Sequence, residues 1–141
     1  MNFIGHHYHA LEQKGRLAIP SIFREGLGDK IIITRGLETC LHVIPQKTWK
    51  KTVSEVPIHP FGKKSDRDWL RLITHNSQEV QFDQQGRVHI DTHLLKYANL
   101  SKNCIIAGSI NYLEIWDQET YHQYYKKLEE TKEEITTKKY E

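Results

Sequence analysis

Two stretches of this 141-residue chain repeat each other at a displacement of 71 residues. Leu11-Glu12-Gln13-Lys14-Gly15-Arg16-Leu17-Ala18-Ile19-Pro20 aligns with Phe82-Asp83-Gln84-Gln85-Gly86-Arg87-Val88-His89-Ile90-Asp91. Each reads apolar, acidic, two polar, Gly, Arg, apolar, variable, Ile. The agreement continues downstream. Leu27 to Ile33 and Leu100 to Ile106 both run from a leucine into an aliphatic stretch, Leu41-His42-Val43-Ile44 matches Leu113-Glu114-Ile115-Trp116, and Trp49 matches Tyr121. Ordered likeness over this span marks an internal repeat of one small unit. A small core built from two such halves invites oligomerisation, because unsatisfied apolar surface then finds a partner.

Each copy carries the same elements. A first strand (Gly5 to Leu11; Gln78 to Phe82) leads into a turn ending in glycine, and a second strand (Arg16 to Ile19; Arg87 to Ile90) leaves it. Gly15 and Gly86 supply the positive φ that such a turn needs. A short helix is predicted over Ser21 to Leu27 and over Thr92 to Ala98. Strands Lys30 to Thr34 and Cys40 to Ile44, then Asn103 to Ala107 and Tyr112 to Trp116, are joined at Arg35-Gly36 and Gly108-Ser109. A longer helix closes each copy, starting near Pro45 and near Asp117, where the carboxylate can cap it. Between copies, the prolines of Val56 to Gly62 mark a loop, and Ser65 to Thr74 places Trp69, Leu70 and Ile73 at helical spacing. The units run over 5–50 and 77–121. Residues 51–76 form the inter-repeat loop and helix, and 122–141 a C-terminal helix and tail; Tyr121, Tyr125 and Leu128 form the apolar stripe of the last helix, which starts near Asp117. Beyond about Thr131 the chain has little to bury and is expected to fray.

Charge separates the halves. Residues 1–75 hold 12 Lys and Arg against 7 Asp and Glu, and residues 76–141 hold 8 against 11. The total is only +2, but one face can attract phosphate while the whole stays soluble. Cys40 and Cys104 have no CxxC spacing and fit two buried thiols in a reducing cytoplasm. No run of eighteen apolar residues exists, which excludes a membrane-spanning helix. Met1 to Gly5 lacks the basic flank and apolar stretch of a signal peptide.

The chemistry resides in the repeated acidic-x-x-Gly-Arg turn. Asp83 can accept a charge-assisted hydrogen bond from Arg87 and fix its direction, and Glu12 can do the same for Arg16 with a looser hold. An arginine steadied on a protruding turn suits bidentate contact with guanine O6 and N7. Lys14 suits a phosphate, while Gln85, its counterpart, hydrogen-bonds without neutralising charge. The candidate DNA-contacting residues are therefore Lys14, Gly15, Arg16, Gln85, Gly86 and Arg87, with Glu12 and Asp83 as orienting carboxylates. Taken once, such a turn is an ordinary hairpin salt bridge.

The segments Leu11 to Pro20, Thr34-Arg35-Gly36-Leu37-Glu38-Thr39-Cys40-Leu41, Asp83 to Arg87 and Glu114-Ile115-Trp116-Asp117 together resemble hallmark stretches of the MraZ family, over roughly residues 1–125. The resemblance implies an α+β fold: two pseudo-symmetric SpoVT-AbrB-like repeats forming a small mixed β-barrel-like core. It implies a cytoplasmic, nucleoid-associated transcriptional regulator, a repressor of its own promoter. Such a protein binds tandem guanine-containing repeats in double-stranded DNA upstream of the division and cell-wall gene cluster. It also implies closed rings of about eight to twelve subunits. This sequence departs from the family pattern in having Glu12 where Asp is usual and Asp91 where Pro is common. Independently, one subunit offers few cations, and several subunits on consecutive repeats would raise avidity by roughly 10² to 10⁴. Copy one is then the main DNA surface, with copy two reading DNA or serving assembly.

Other classes have less support. Nine histidines invite a metal site, but His7, His9, His89 and His93 could cluster only if the copies pack that way, so no metal ligand and no cofactor is assigned. Neither cysteine has an activating motif, and GxSxG, Walker-type and GxGxxG loops are absent, so no catalytic residue and no small-molecule substrate is assigned. The remaining rival is a non-DNA β-rich assembly module whose arginine turns bind acidic protein partners.

Overall fold

A computed structural model describes residues 2–141; Met1, the first residue of the stretch read for a leader, lies outside them. Eight strands form one antiparallel sheet that curls into a nearly closed barrel, with six helices around it among the described residues. Copy one contributes β1 (His6–Glu12), β2 (Arg16–Ala18), α1 (Ser21–Leu27), β3 (Lys30–Arg35), β4 (Leu41–Pro45) and α2 (Gln46–Ser54). After α3 (Lys64–Thr74), copy two contributes β5 (Gln78–Gln81), β6 (Arg87–His89), α4 (Thr92–Tyr97), β7 (Asn103–Gly108), β8 (Leu113–Asp117) and α5 (Gln118–Glu130), and α6 (Lys132–Lys139) ends the chain. The α+β class and the barrel-like core expected from the sequence are what the chain forms.

The sheet order is β5-β3-β4-β8-β7-β1-β2-β6, and the copies exchange their first strands. Strand β1 pairs with β7 of the other copy, with Ala10 opposite Asn103; β5 pairs with β3, with Gln81 opposite Lys30. These are equivalent pairings in the repeat. Two further seams cross the pseudo-two-fold axis itself. On one, Leu17 lies opposite Val88, its own repeat equivalent, flanked by Arg16 opposite His89 and Ala18 opposite Arg87. On the other, His42 lies opposite Glu114, flanked by Leu41–Ile115 and Val43–Leu113. The axis therefore passes through two sites on opposite walls of the barrel.

The core is drawn from both copies: Leu17, Ile31, Ile33, Leu41, Val43, Val88, Leu94, Ile106, Leu113 and Ile115 are fully buried. Alternation alone would leave Ile32 and Ile105 outside. Instead β3 and β7 read as continuous apolar runs because helices cover their outer side, and Ile105 packs with Cys40 and Trp116 beneath Tyr121 of α5. Asp117 begins α5 by accepting from the Thr120 N–H at 3.5 Å, and its Oδ1 accepts from the Ser101 hydroxyl and N–H. Both cysteines are free and buried.

Composition predicts fraying beyond Thr131, whereas the structure carries helix to Lys139. Every residue of that helix is exposed, and Thr136 and Thr137 hydrogen-bond back to the carbonyls four residues earlier. No helix among the described residues is long and apolar enough to cross a membrane.

Leu17→Ala at the axis should cost about 2–5 kcal/mol in urea denaturation, through lost burial and an unfilled cavity. Combined with Val88→Ala the losses should be non-additive, because the two side chains share one layer. Strict additivity would show that the copies do not rest on each other there.

Candidate nucleic-acid interface

The β2–β6 seam brings the two glycine-arginine turns side by side. Each turn is pinned by the other copy: Ile90 N–H donates to the Gly15 carbonyl at 2.9 Å, and Ile19 N–H to the Gly86 carbonyl at 3.1 Å. Gly15 and Gly86 have φ of 72° and 75°, as the sequence requires. Space also demands glycine at position 15. A Cβ there would lie 2.7 Å from the Ile90 carbonyl oxygen and 3.1 Å from Leu95. At position 86 it would collide with the Arg24 guanidinium.

Along β2 and β6 the pleat sends Leu17 and Val88 inward, leaving Arg16, Ala18, Arg87 and His89 on the outer face. Given a rise of about 3.4 Å and a strand spacing of about 4.8 Å, the two arginine Cα atoms stand roughly 8 Å apart on the diagonal. Around them lies an open concavity of about 560 Å³ lined by Arg16, Gln81, Asp83, Gln85, Arg87 and His89, among others. Its lining is charged and amide-bearing, unlike the mostly apolar clefts that enclose small molecules.

The two turns are built differently. In the second, Asp83 Oδ1 accepts from the backbone N–H of Gln85 at 2.8 Å and of Arg87 at 2.9 Å, which locks the turn. Asp83 Oδ2 accepts from Arg87 Nε at 2.9 Å, as the sequence predicts. The backbone N–H of Arg87 foremost, with its side chain and the Gln85 N–H, holds the Asp83 carboxyl below the usual carboxylate range. The first turn has no such lock. Lys14 itself takes a left-handed conformation (φ 63°), a strain of order 1 kcal/mol for a residue with a Cβ.

Glu12 does not hold Arg16. Although the two are register partners across the hairpin, Glu12 Oε1 accepts from Arg87 Nη1 of the other copy, at 3.0 Å. The extra methylene lets the carboxylate pass over its own turn and reach the neighbouring strand. Both orienting carboxylates thus converge on Arg87, which raises its affinity for its proton through Asp83 first and Glu12 second. Arg87 is held by two carboxylates that offset its charge, with a side chain 21% exposed. Arg16 is exposed and makes no ion pair among the described residues.

Sequence reasoning missed Arg24. It lies on α1 of copy one, yet its guanidinium sits against Gly86 of copy two. Its repeat equivalent is Leu95, which packs on Gly15 in the same way. Arg24 gives the second turn the cation that Gln85 lacks, so each turn has one besides its own arginine: Lys14 in the first, Arg24 beside the second. Aligning the copies exposes the Arg24–Leu95 mismatch, but not the contact it makes.

The histidines weighed as metal ligands do not gather. His7 and His9 lie on β1, and His89 faces Asp91 at 3.8 Å. Among the described residues Cys40, His42 and Glu114 are the one group of three or more such side chains within reach of a common ion. Burial pushes the Cys40 and Cys104 thiols up to about 12 and about 11, so neither supplies a thiolate nucleophile by itself.

The family model described as "MraZ protein, putative antitoxin-like" matches the chain twice, over residues 3–72 and 73–140. The chain belongs to the MraZ family. The two tandem matches correspond to the repeat read from the sequence, and the family is one of regulators rather than enzymes.

Stability should follow the Asp83 carboxyl. Its folded-state pKa lies below the unfolded value of about 3.9, so its contribution is complete above that pH and disappears as the pH falls through the folded-state value. Between about pH 5 and about pH 2, urea denaturation should show a larger loss for the wild type than for Asp83→Asn. Equal losses would mean the turn does not depend on the ionised carboxylate.

Proposed function

We infer that this MraZ-family chain is a sequence-specific DNA-binding transcriptional regulator that acts through the outer face of β2 and β6. The observation that carries this reading is the juxtaposition of the two glycine-arginine turns on one exposed face by pairing across the pseudo-two-fold. A two-stranded antiparallel ribbon fits the major groove, which is about 12 Å wide, and an arginine separation of roughly 8 Å lies within that width. Arg87, steadied by Asp83 and Glu12, is the preorganised reader of guanine O6 and N7. Arg16 is the mobile partner, and Lys14 and Arg24 serve phosphates. The pseudo-two-fold gives the face the symmetry of the duplex, although the inequality of the turns makes its halves unlike.

One subunit brings few cations against Glu12, Asp83 and Asp91, so useful affinity requires several copies on tandem guanine-containing repeats. Exposed apolar side chains support self-assembly: Ile58, Phe61, Trp69 and Leu72 on and before α3, and Tyr124 and Tyr125 on α5. The proposed form is a closed homo-oligomeric ring of about eight to twelve subunits on the nucleoid. It would repress the division and cell-wall gene cluster, including its own promoter, as the family likeness suggests.

The test is binding to the DNA upstream of the protein's own gene across a salt series. Affinity should fall steeply with salt. Arg16→Ala or Lys14→Ala should each reduce the slope by about one, and Arg87→Ala should cost about 1–3 kcal/mol and relax preference at guanine. Absence of any salt-sensitive preference over random duplex would transfer the arginine turns to the acidic-partner assembly reading.

A further inference from the structure

On the barrel wall opposite the arginine turns, the second crossing of the pseudo-axis has chemistry that DNA binding does not use. Cys40 immediately precedes β4, His42 lies on β4, and Glu114 lies on β8 of the other copy. One ligand atom from each lies within 4.8 Å of the others. Beyond the DNA reading and independently of it, we propose that Cys40 Sγ, His42 Nε2 and Glu114 Oε2 bind a divalent cation of the zinc class.

The ligand set and its spacing support this. Thiolate, imidazole and carboxylate are the donors zinc accepts, at bond lengths of about 2.0–2.3 Å. Tetrahedral coordination at those lengths separates neighbouring donors by roughly 3.3–3.8 Å. His42 Nε2 and Glu114 Oε2 stand 3.6 Å apart, too long for a good hydrogen bond and suitable for two ligands of one ion. The charges also balance, since a thiolate and a carboxylate offset a dication, with the Cys40 proton passing to solvent as the sulfur–metal bond forms.

Neighbouring groups hold these donors in place. Trp116 Nε1 donates to Glu114 Oε1 at 3.1 Å, which orients the carboxylate and leaves Oε2 for the ion. The Tyr112 ring packs on the imidazole with centroids 4.6 Å apart. Gly36 keeps the space open: a Cβ there would lie 2.5 Å from Cys40 Sγ and 3.0 Å from His42 Nε2. The glycine loop is itself fixed, because Gly36 N–H donates to the Cys40 carbonyl at 2.8 Å and Tyr97 Oη donates to the Gly36 carbonyl at 2.6 Å. Cys40 is fully buried, while the His42 and Glu114 side chains are 21% and 20% exposed, so an ion can enter from solvent. Water supplies the fourth ligand. A His42–Glu114 ion pair alone would need neither the thiol nor the space at Gly36.

The full chain, stripped by chelator and dialysed, should be titrated with Zn²⁺ against a chromogenic competitor and with Co²⁺ by absorption. One equivalent per chain should bind, with a tetrahedral cobalt spectrum and a thiolate-to-cobalt charge-transfer band. Zinc should raise Tm by roughly 4 °C or more at saturation. Cys40→Ser should abolish the charge-transfer band. His42→Ala and Glu114→Gln, substitutions at part-exposed positions that should still fold, should each weaken binding by about 10-fold or more. His7→Ala on β1 should change nothing. Substoichiometric uptake, a cobalt spectrum without the sulfur band, or affinity indifferent to His42→Ala would overturn the site and assign any bound metal to surface histidines.

Discussion

The reciprocal exchange of first strands governs this molecule. Strand β1 completes the sheet of copy two, and β5 completes that of copy one, in the same register. Neither copy can close its own sheet, because the strand that would satisfy its edge belongs to its neighbour. The shared core follows directly, with buried side chains from both units filling one barrel. So does the placement of the glycine-arginine turns, since the hairpins that carry them are drawn together where β2 meets β6. The functional face is therefore a product of how the copies interlock, and neither copy has it alone.

The repeat symmetry is kept in the backbone and broken in the side chains. Hydrogen bonds from Ile19 to Gly86 and from Ile90 to Gly15 are equivalent, yet Asp83 locks its turn and Glu12 abandons its own to reach across the seam. One seam of the barrel is also weaker than its counterpart. Strands β1 and β2 pair, whereas β5 and β6 end the sheet as its two edges. Gln78 spans that gap, donating to the His89 carbonyl at 2.6 Å and accepting from Asp91 N–H at 3.0 Å. An amide side chain there replaces a missing rung of the ladder.

Much of this was legible in the sequence. Helix α1 spans the predicted Ser21–Leu27, the glycines carry the positive φ assigned to them, and Asp83 holds Arg87 as its spacing implies. Local chemistry decides those features, so local sequence reveals them. The strand exchange was not legible, because alternation identifies a strand without naming its partner. The same gap explains Glu12, whose carboxylate is satisfied across the seam, and Arg24, whose contact lies on the far copy. The grouping of Cys40, His42 and Glu114 was hidden likewise, since Glu114 arrives from the other unit. The C-terminal segment differs for another reason: with no apolar face, its composition gave no sign of the helix it forms.

The contact between His42 and Glu114 has a consequence for how such a chain could arise. When two identical chains meet on a dyad, every residue on the axis confronts its own twin, so histidine would face histidine and glutamate would face glutamate. Unlike residues can oppose each other there only once the two halves are encoded as separate copies, as the two repeats of this chain are. Fusion also turns assembly of the barrel from a bimolecular event, sensitive to dilution, into one set by the length of the tether. Two copies in one chain thus hold a chemical difference at a place where a pair of identical chains has none.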